Sequence, residues 1–287
     1  MALVPFPQKS VTPAEEPDWE NDPESAEGGK MSFLEHLDEL RRRLIWSIAS
    51  LVFGVVVAAF FLDERTYGPI GSHGPWTFGI FDFVFRPMQA LLKPGQTLQF
   101  IEPSEAFSVY VKLAVIAGLL IASPLVMTQV WLFIAPGLYA KEKKLAIPFV
   151  VLSSVFFVLG AWFGHSIVFP MSWRFFASME NSIMKFQPRL DASFSMYLKM
   201  VLAFAVVFQM PTVVLFLARM GVVTGRFLMR HFKYAVLIIF IAAAIITPDG
   251  SPVTQTFIAG PLVGLYLFSV LLAWIFGKKR REAEADI

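Results

Sequence analysis

The sequence contains no cysteine, so disulfide bonds and thiolate metal ligands are excluded. Charged residues make up only 16%, whereas a soluble domain has about a quarter. No phosphate-binding G-x-x-x-x-G-K-[ST], no H-E-x-x-H and no G-x-S-x-G occurs. These absences give no support to a nucleotide-driven pump or an intramembrane protease, and we expect neither an enzyme, nor a cofactor, nor a nucleic-acid partner. The histidines are scattered, and His165 is expected to be packed or interfacial rather than a ligand.

Long apolar runs dominate the chain instead. Hydrophobic residues make up 56%, and the mean hydropathy is +0.62. A transmembrane helix needs about 20 such residues, and comparable windows recur from residue 44 onward. The sequence therefore predicts an all-α integral membrane protein whose membrane domain covers residues 32–276. Its six predicted transmembrane helices lie at about 43–62, 106–134, 145–171, 194–217, 234–247 and 253–276.

Both flanks of this domain are polar. Residues 1–31 carry seven carboxylates, two lysines and five prolines, a composition that predicts a disordered tail. The tail lacks a basic start followed by an apolar core, so a cleavable signal peptide is not expected. Residues 277–287 form a second tail, basic and then acidic.

The distribution of Lys and Arg predicts the topology. Six spans put both chain ends on the same side of the membrane. Sixteen Lys and Arg residues lie on that side and six on the other. The positive-inside rule then places both termini in the cytoplasm. The fifth span has only about 14 apolar residues, or roughly 21 Å of helix against about 30 Å of hydrocarbon. Either the bilayer thins there or neighbouring helices shield a short helix.

Local patterns predict further helices and contacts. Ser32 and Glu35 have capping-box spacing, and apolar residues recur at helical spacing over 32–43, which predicts an amphipathic helix that runs into the first span. "GIFDFVFRPMQALLKPG" is compatible with a short interfacial helix. "GAWFG" at 160–164 and "GPLVG" at 260–264 have the spacing of close helix contacts, within the chain or with a separate subunit.

Four motifs together carry a family resemblance. "HLDELRRRL" precedes the first span, "SPLVMTQVWLFIAPGLYAKEKKLAIPF" joins the second and third, "FQMPTVVLFL" lies in the fourth, and "TPDGSPVTQT" enters the sixth. From about Ser32 to Phe276, the chain resembles TatC, the multi-span subunit of the twin-arginine protein translocase.

The resemblance implies a fold and a function. The fold would be a curved, glove-like bundle of six helices in the bacterial cytoplasmic (inner) membrane. The protein would bind twin-arginine signal peptides of folded precursors. It would assemble with single-span subunits of the TatA and TatB type, and with further copies of itself in the receptor complex. The proton-motive force would supply the energy.

The resemblance also assigns the signal-peptide site. Glu142 and Glu39 match the family's acidic positions, and carboxylates can bind the two guanidinium groups of such a signal in bidentate fashion. Arg41 and Phe133 match positions near this site. Taken alone, Glu142 fits a solvated loop residue beside lysines, and Glu39 fits an i,i+4 pair with Arg43 worth about 0.2–0.5 kcal/mol.

The resemblance gives the remaining motif positions a structural role or a role in contacting partner subunits. Pro87, Pro124 and Gln129 match family positions, and Lys112 and Lys199 are expected to snorkel to the membrane interface. Gln209 is a departure, since many TatC proteins have glutamate there and the position is assigned to partner contact. Glutamine keeps hydrogen-bonding capacity but cannot ionise.

Two other functions stay open on the sequence alone. Prolines within the spans could break helices around a midplane site, as in a small-solute secondary transporter, and a scaffold for other membrane proteins is a third possibility. Binding of a twin-arginine signal that is lost with a lysine pair would discriminate the receptor from the transporter.

Overall fold

The computed structural model describes residues 33–61, 80–90, 92, 96–134, 146–183, 185–247 and 251–277. Glu142 and the two polar tails, apart from Gly277, lie outside these residues. The regular secondary structure of the described residues is helical, apart from one isolated bridge between Gln99 and Arg189. The helices are α1 Phe33–Phe61, α2 Ile80–Gln89, α3 Pro103–Ile134, α4 Ala146–Phe163, α5 Phe169–Ser178, α6 Leu190–Val207, α7 Met210–Arg219, α8 Gly225–Arg230, α9 Phe232–Ile246 and α10 Pro252–Phe276, with a π-helical turn at Gly164–Val168 between α4 and α5.

The lengths of these helices support the predicted membrane protein. Within the described ranges, five helical segments are long and apolar enough to cross a bilayer, at Leu34–Ala59, Pro103–Ile134, Ile147–Ser178, Leu190–Arg219 and Pro252–Phe276. The fifth predicted span appears as α9, a shorter apolar helix of 15 residues. The predicted amphipathic segment and first span form one continuous helix, and α2 lies within the stretch considered for a short helix.

Pro124 lies inside α3 without ending it. A proline has no N–H, so the carbonyl of Leu120 one turn earlier loses its helical hydrogen bond. The hydroxyl of Ser123, which is buried, donates to that carbonyl at 2.8 Å. This local replacement satisfies the acceptor inside an apolar environment and lets the helix continue to Ile134.

The third long helix extends seven residues beyond its predicted end at Met171, to Ser178. Phe169 and Trp173 are buried on its inner face, and the indole N–H of Trp173 donates to the carbonyl of Met88 in α2 at 3.2 Å. Polar residues interrupt the apolar run over 172–178, so the sequence did not indicate that this stretch has a buried face. The reason for the extension is therefore packing against α2, a contact between residues far apart in sequence.

The fourth long segment is broken where one span was predicted. α6 ends at Val207 and α7 begins at Met210, with Pro211 in the first turn of α7. Pro211 cannot donate to the carbonyl of Val207 four residues earlier, and a turn at Phe208–Gln209 takes its place. This break brings the side chain of Gln209 toward α4.

The main core is formed by α2 to α6, α9 and α10, with buried Phe85, Phe169, Phe194, Phe204 and Met200 at its centre. α1 lies at the edge and packs chiefly against α3. The two backbones nearly touch there, since a Cβ added to Gly54 would lie 2.3 Å from the carbonyl oxygen of Gly118.

The two G-x-x-x-G motifs differ in what they contact. A Cβ added to Gly160 would lie 2.6 Å from the carbonyl oxygen of Phe204, and one added to Gly164 would lie 3.0 Å from Cα of Val201. The first motif therefore packs α4 and the π turn against α6 within the chain. Among the described residues, nothing lies within 4 Å of a Cβ added to Gly260 or Gly264.

Candidate functional site

The N-terminal end of α1 meets the C-terminal end of α3 in a polar cluster. Glu39 Oε1 accepts a hydrogen bond from Arg43 Nη2 at 3.2 Å, which confirms the i,i+4 pair. Arg43 Nη1 also reaches Gln129 Oε1 at 3.5 Å, across to α3. The side chain of Glu39 is only 14% exposed. We name His36, Glu39, Arg43, Gln129 and Phe133 the α1–α3 site.

The second carboxylate oxygen of Glu39 is the unusual atom of this site. Among the described residues, Glu39 Oε2 is buried without a hydrogen-bond partner, and so is Arg43 Nε. A buried acceptor that lacks a partner costs about 1–3 kcal/mol. A guanidinium ligand would satisfy Oε2 with a charge-assisted hydrogen bond. In the part of the chain that the structure describes, the cluster therefore has one free acceptor, Glu39 Oε2, that a cationic donor would satisfy.

An aromatic contact closes the outer edge of the site. The imidazole of His36 stacks on the ring of Phe133, with centroids 4.6 Å apart and planes inclined by 22°. His36 lies about one helical turn before Glu39 and Phe133 about one turn after Gln129, so both are close to the ends of their helices. The site thus places an aromatic surface beside a carboxylate, directly before the 135–145 segment that carries Glu142.

Arg41 is not brought into this cluster. It lines a surface cavity with Asp38, Arg42, Ile45 and Trp46. Consecutive helical residues point about 100° apart, so Asp38, Arg41 and Ile45 project from α1 well away from Arg43. Pro87, inside α2, and Pro124, near the middle of α3, also lie away from the α1–α3 site.

Gln209 has a partner within the chain. Its Nε2 donates to the carbonyl oxygen of Ser153 in α4 at 3.0 Å. The hydroxyl of the same serine accepts a hydrogen bond from the indole N–H of Trp131 in α3 at 2.7 Å, and this bond is buried. Gln209 thus joins a polar link from α7 through α4 to α3, at the membrane-embedded break between α6 and α7.

The opposite end of α3 carries two ion pairs that the sequence did not reveal. Lys112 Nζ donates to Asp191 Oδ1 at 2.5 Å and to Ser195 Oγ at 3.0 Å, so Lys112 is paired across to α6 rather than standing alone at the interface. Arg189 pairs with Glu105, and this pairing raises the pKa of the arginine. Nothing in a single sequence signals these pairs.

His165 is packed, as expected. It lies in the π turn, is buried, stacks on Phe83 and has its Nδ1 3.1 Å from the hydroxyl of Tyr197. Within the described part of the chain, no group of three or more His, Asp or Glu side chains could hold a metal ion.

Comparison with known proteins identifies the family. A family model described as Sec-independent protein translocase protein (TatC) matches residues 35–261. The TatC protein of Desulforapulum autotrophicum is 38% identical over 91% of this chain and 91% of its own length. The TatC protein of Helicobacter pylori strain J99 is 37% identical over 88% and 92%, respectively.

Solved structures agree with this match. A crystal structure of the twin-arginine translocase receptor TatC in DDM superposes with a TM-score of 0.70 at 34% identity, and the match covers 83% of this chain and 99% of that one. A second crystal structure of the receptor gives a TM-score of 0.68. Sequence, helical architecture and motif order thus point the same way, and the chain belongs to the TatC family.

Proposed function

We propose that this protein is the receptor subunit of a twin-arginine translocase. It binds the twin-arginine signal peptides of folded precursors and nucleates the assembly of single-span partner subunits, and the proton-motive force drives export. The matched proteins are named as translocase proteins, so the small-solute transporter is not carried forward. The observation that carries the signal-binding role is the buried Glu39 Oε2, which has no hydrogen-bond partner among the described residues and lies beside an aromatic surface.

The chemistry of recognition follows from the geometry of guanidinium. One arginine of the signal donates to Glu39 Oε2, while Arg43 holds Oε1 and fixes the orientation of the carboxylate. The second arginine binds Glu142, the family's acidic position in the segment that follows α3. The apolar part of the signal packs on Phe133. A lysine keeps the charge but lacks the planar fork of donors, so a lysine pair binds more weakly.

The proposed topology has six spans and both termini in the cytoplasm of a bacterium, with the protein in the inner membrane. Five long helices alone would put the two ends of the membrane domain on opposite sides, so α9 has to cross as well. Its 15 residues cover about 22 Å, less than the roughly 30 Å of hydrocarbon. With α9 as a span, the α1–α3 site faces the cytoplasm, where precursors arrive.

Partner assembly is the second part of the proposal. Gln209 lies on a membrane-embedded break and already donates to Ser153. A neutral hydrogen bond from the rest of its amide to a single-span helix would add about 0.6–2 kcal/mol in a membrane. Several copies of the receptor assemble with these partners in one complex.

A photocrosslinking experiment tests the receptor role. A photoreactive residue replaces Leu132, which is exposed next to Phe133, and precursors with an Arg-Arg or a Lys-Lys signal are compared. We expect crosslinking with the arginine pair and about a tenfold loss with the lysine pair, with Glu39→Gln or with Glu142→Gln. Glu102→Gln, an exposed carboxylate at the other end of α3, is the matched control. Equal crosslinking of both signals in a correctly inserted protein would refute the proposal.

A further inference from the structure

The outward face of α1 carries a surface feature that signal binding does not use. A cavity of about 270 Å³ is lined by Asp38, Arg41, Arg42, Ile45 and Trp46, and we name it the α1 cavity. All five residues are exposed. The face that packs on α3, with Glu39, Arg43 and Gly54, lies on the other side of the helix. The cavity therefore opens away from the protein core.

The polar groups of the α1 cavity have a definite pattern. Arg41 and Arg42 provide two planar guanidinium groups, which bind phosphate in bidentate fashion. Asp38 lies three and four residues earlier, one turn toward the start of α1, and its carboxylate lines the same cavity. A ligand that fits all three groups carries a phosphate and, a few ångströms away, a cationic N–H donor.

The apolar side of the same face continues this pattern along the helix. Ile45 and Trp46 also line the cavity, and Val52, Phe53 and Val56 follow at helical spacing, all exposed. From Ile45 to Val56 the rise is about 16 Å, close to half of the roughly 30 Å hydrocarbon core. Tryptophan is characteristic of the headgroup boundary. Along α1, the two arginines come first, then the indole of Trp46, and then an apolar surface about as long as one leaflet is deep. A phospholipid has its phosphate, its glycerol region and its acyl chains in the same order.

We propose that the α1 cavity binds a membrane phospholipid with a phosphoethanolamine headgroup. The two arginines bind the phosphate, Asp38 accepts from the primary ammonium group, and one acyl chain lies along Val52, Phe53 and Val56. Phosphatidylcholine has the same phosphate, but its quaternary ammonium has no N–H to donate, so it loses the contact with Asp38. This inference does not depend on the signal-binding role.

Lipid-specific photocrosslinking of the full-length protein tests the site. A photoreactive residue replaces Ala49, which is exposed on the same face one turn beyond the cavity. The protein is reconstituted in bilayers that contain equal amounts of phosphatidylethanolamine and phosphatidylcholine with identical acyl chains. Mass spectrometry of the adducts then gives the ratio of the two lipids, and the same residue placed at Leu125, exposed on α3, gives the ratio in the bulk bilayer.

We expect phosphatidylethanolamine to be about fivefold enriched at Ala49, the upper range for a partly exposed charge pair. Asp38→Asn should abolish the enrichment while total lipid labelling persists. Arg41→Gln combined with Arg42→Gln should lower total labelling about fivefold. The matched control is Arg226→Gln with Arg230→Gln, which removes two exposed arginines from α8 and should change neither value.

Three results would overturn the proposal. The first is an equal ratio of the two lipids at Ala49 and Leu125, and the second is an enrichment that survives in Asp38→Asn. The third is labelling of a protein segment in place of lipid, which would make this face a protein interface. If the double arginine variant does not insert, the Asp38→Asn comparison alone decides, because it keeps both cations and differs from the native side chain by one atom.

Discussion

The close approach of α1 and α3 leads to a sharp prediction for Gly118→Ala. A Cβ on Gly118 would lie 2.5 Å from both the N and the Cα of Val55. These are backbone atoms, so no side-chain rotation relieves the clash and α1 has to move away. Overpacking costs about 1–3 kcal/mol, and we expect the upper end here. About 3 kcal/mol corresponds to roughly a hundredfold increase in the population with α1 detached.

The assay uses the absence of cysteine in the chain. Ala58→Cys introduces a single thiol on α1, fully buried one turn before the end of the helix. Its rate of modification by a water-soluble maleimide reports how often α1 separates from its packing partner. We expect this rate to rise by one to two orders of magnitude in Gly118→Ala, in line with the packing cost.

Gly264→Ala is the matched control, since a Cβ at Gly264 meets nothing within 4 Å among the described residues. It should leave the rate unchanged. Gly118→Ala should also weaken twin-arginine binding, because the Arg43–Gln129 and His36–Phe133 contacts depend on the same interface. A labelling rate in Gly118→Ala equal to that of the native protein would refute the reasoning that backbone contact holds α1 in place.

Three further predictions concern polar contacts in the membrane domain. Lys112→Met should lower Tm by the equivalent of about 1 kcal/mol, since it removes the cation that pairs with the partly exposed Asp191, and Asp191→Leu added to it should restore part of the loss in a double-mutant cycle. Trp131→Phe should cost about 1 kcal/mol of unfolding free energy in detergent melting, because the buried bond to Ser153 Oγ is lost. Gln209→Leu should reduce co-purification of single-span partners more than signal-peptide binding.

Each of these has an outcome that contradicts it, which for Trp131→Phe is an unfolding free energy equal to that of the native protein. Additive effects in the Lys112 cycle would mean that the pair is not coupled in the folded protein. Lys199→Met, at an exposed lysine of α6, and Trp162→Phe, at an exposed tryptophan of α4, are the controls and should leave Tm unchanged. Undiminished partner co-purification with Gln209→Leu would restrict this residue to its bond with Ser153.

Local patterns in the sequence predicted the features that depend on neighbours along the chain. Helical periodicity predicted the helix at the start of α1, and i,i+4 spacing predicted the Glu39–Arg43 pair. Apolar windows located the long helices because burial in a bilayer requires them. The family resemblance assigned Glu39 and Phe133 to signal-peptide binding and Gln129 to a structural motif position, and the structure places all three at the same end of α1 and α3.

Features that depend on distant residues could not be predicted in this way. The Lys112–Asp191 pair joins residues 79 apart in sequence, and the Glu105–Arg189 pair joins residues 84 apart. A single sequence does not say which charged side chains meet. The same limit applies to Arg41, because the sequence does not say which face of α1 packs on α3, and to the two G-x-x-x-G motifs, of which only the first is packed within the described chain.

The contact between Gly54 and Gly118 also has a mechanical consequence. It is a point of close backbone approach between α1 and α3, and it divides α1 into arms of unequal length: 15 residues to Glu39, about 22 Å, and seven residues to Phe61, about 10 Å. A tilt of α1 about this fulcrum moves the two arms in opposite directions. A displacement of about 1 Å at Glu39 therefore becomes about 0.5 Å at the far end of the helix. A tilt of α1 about the Gly54–Gly118 contact would therefore couple movement at one membrane surface to movement at the other.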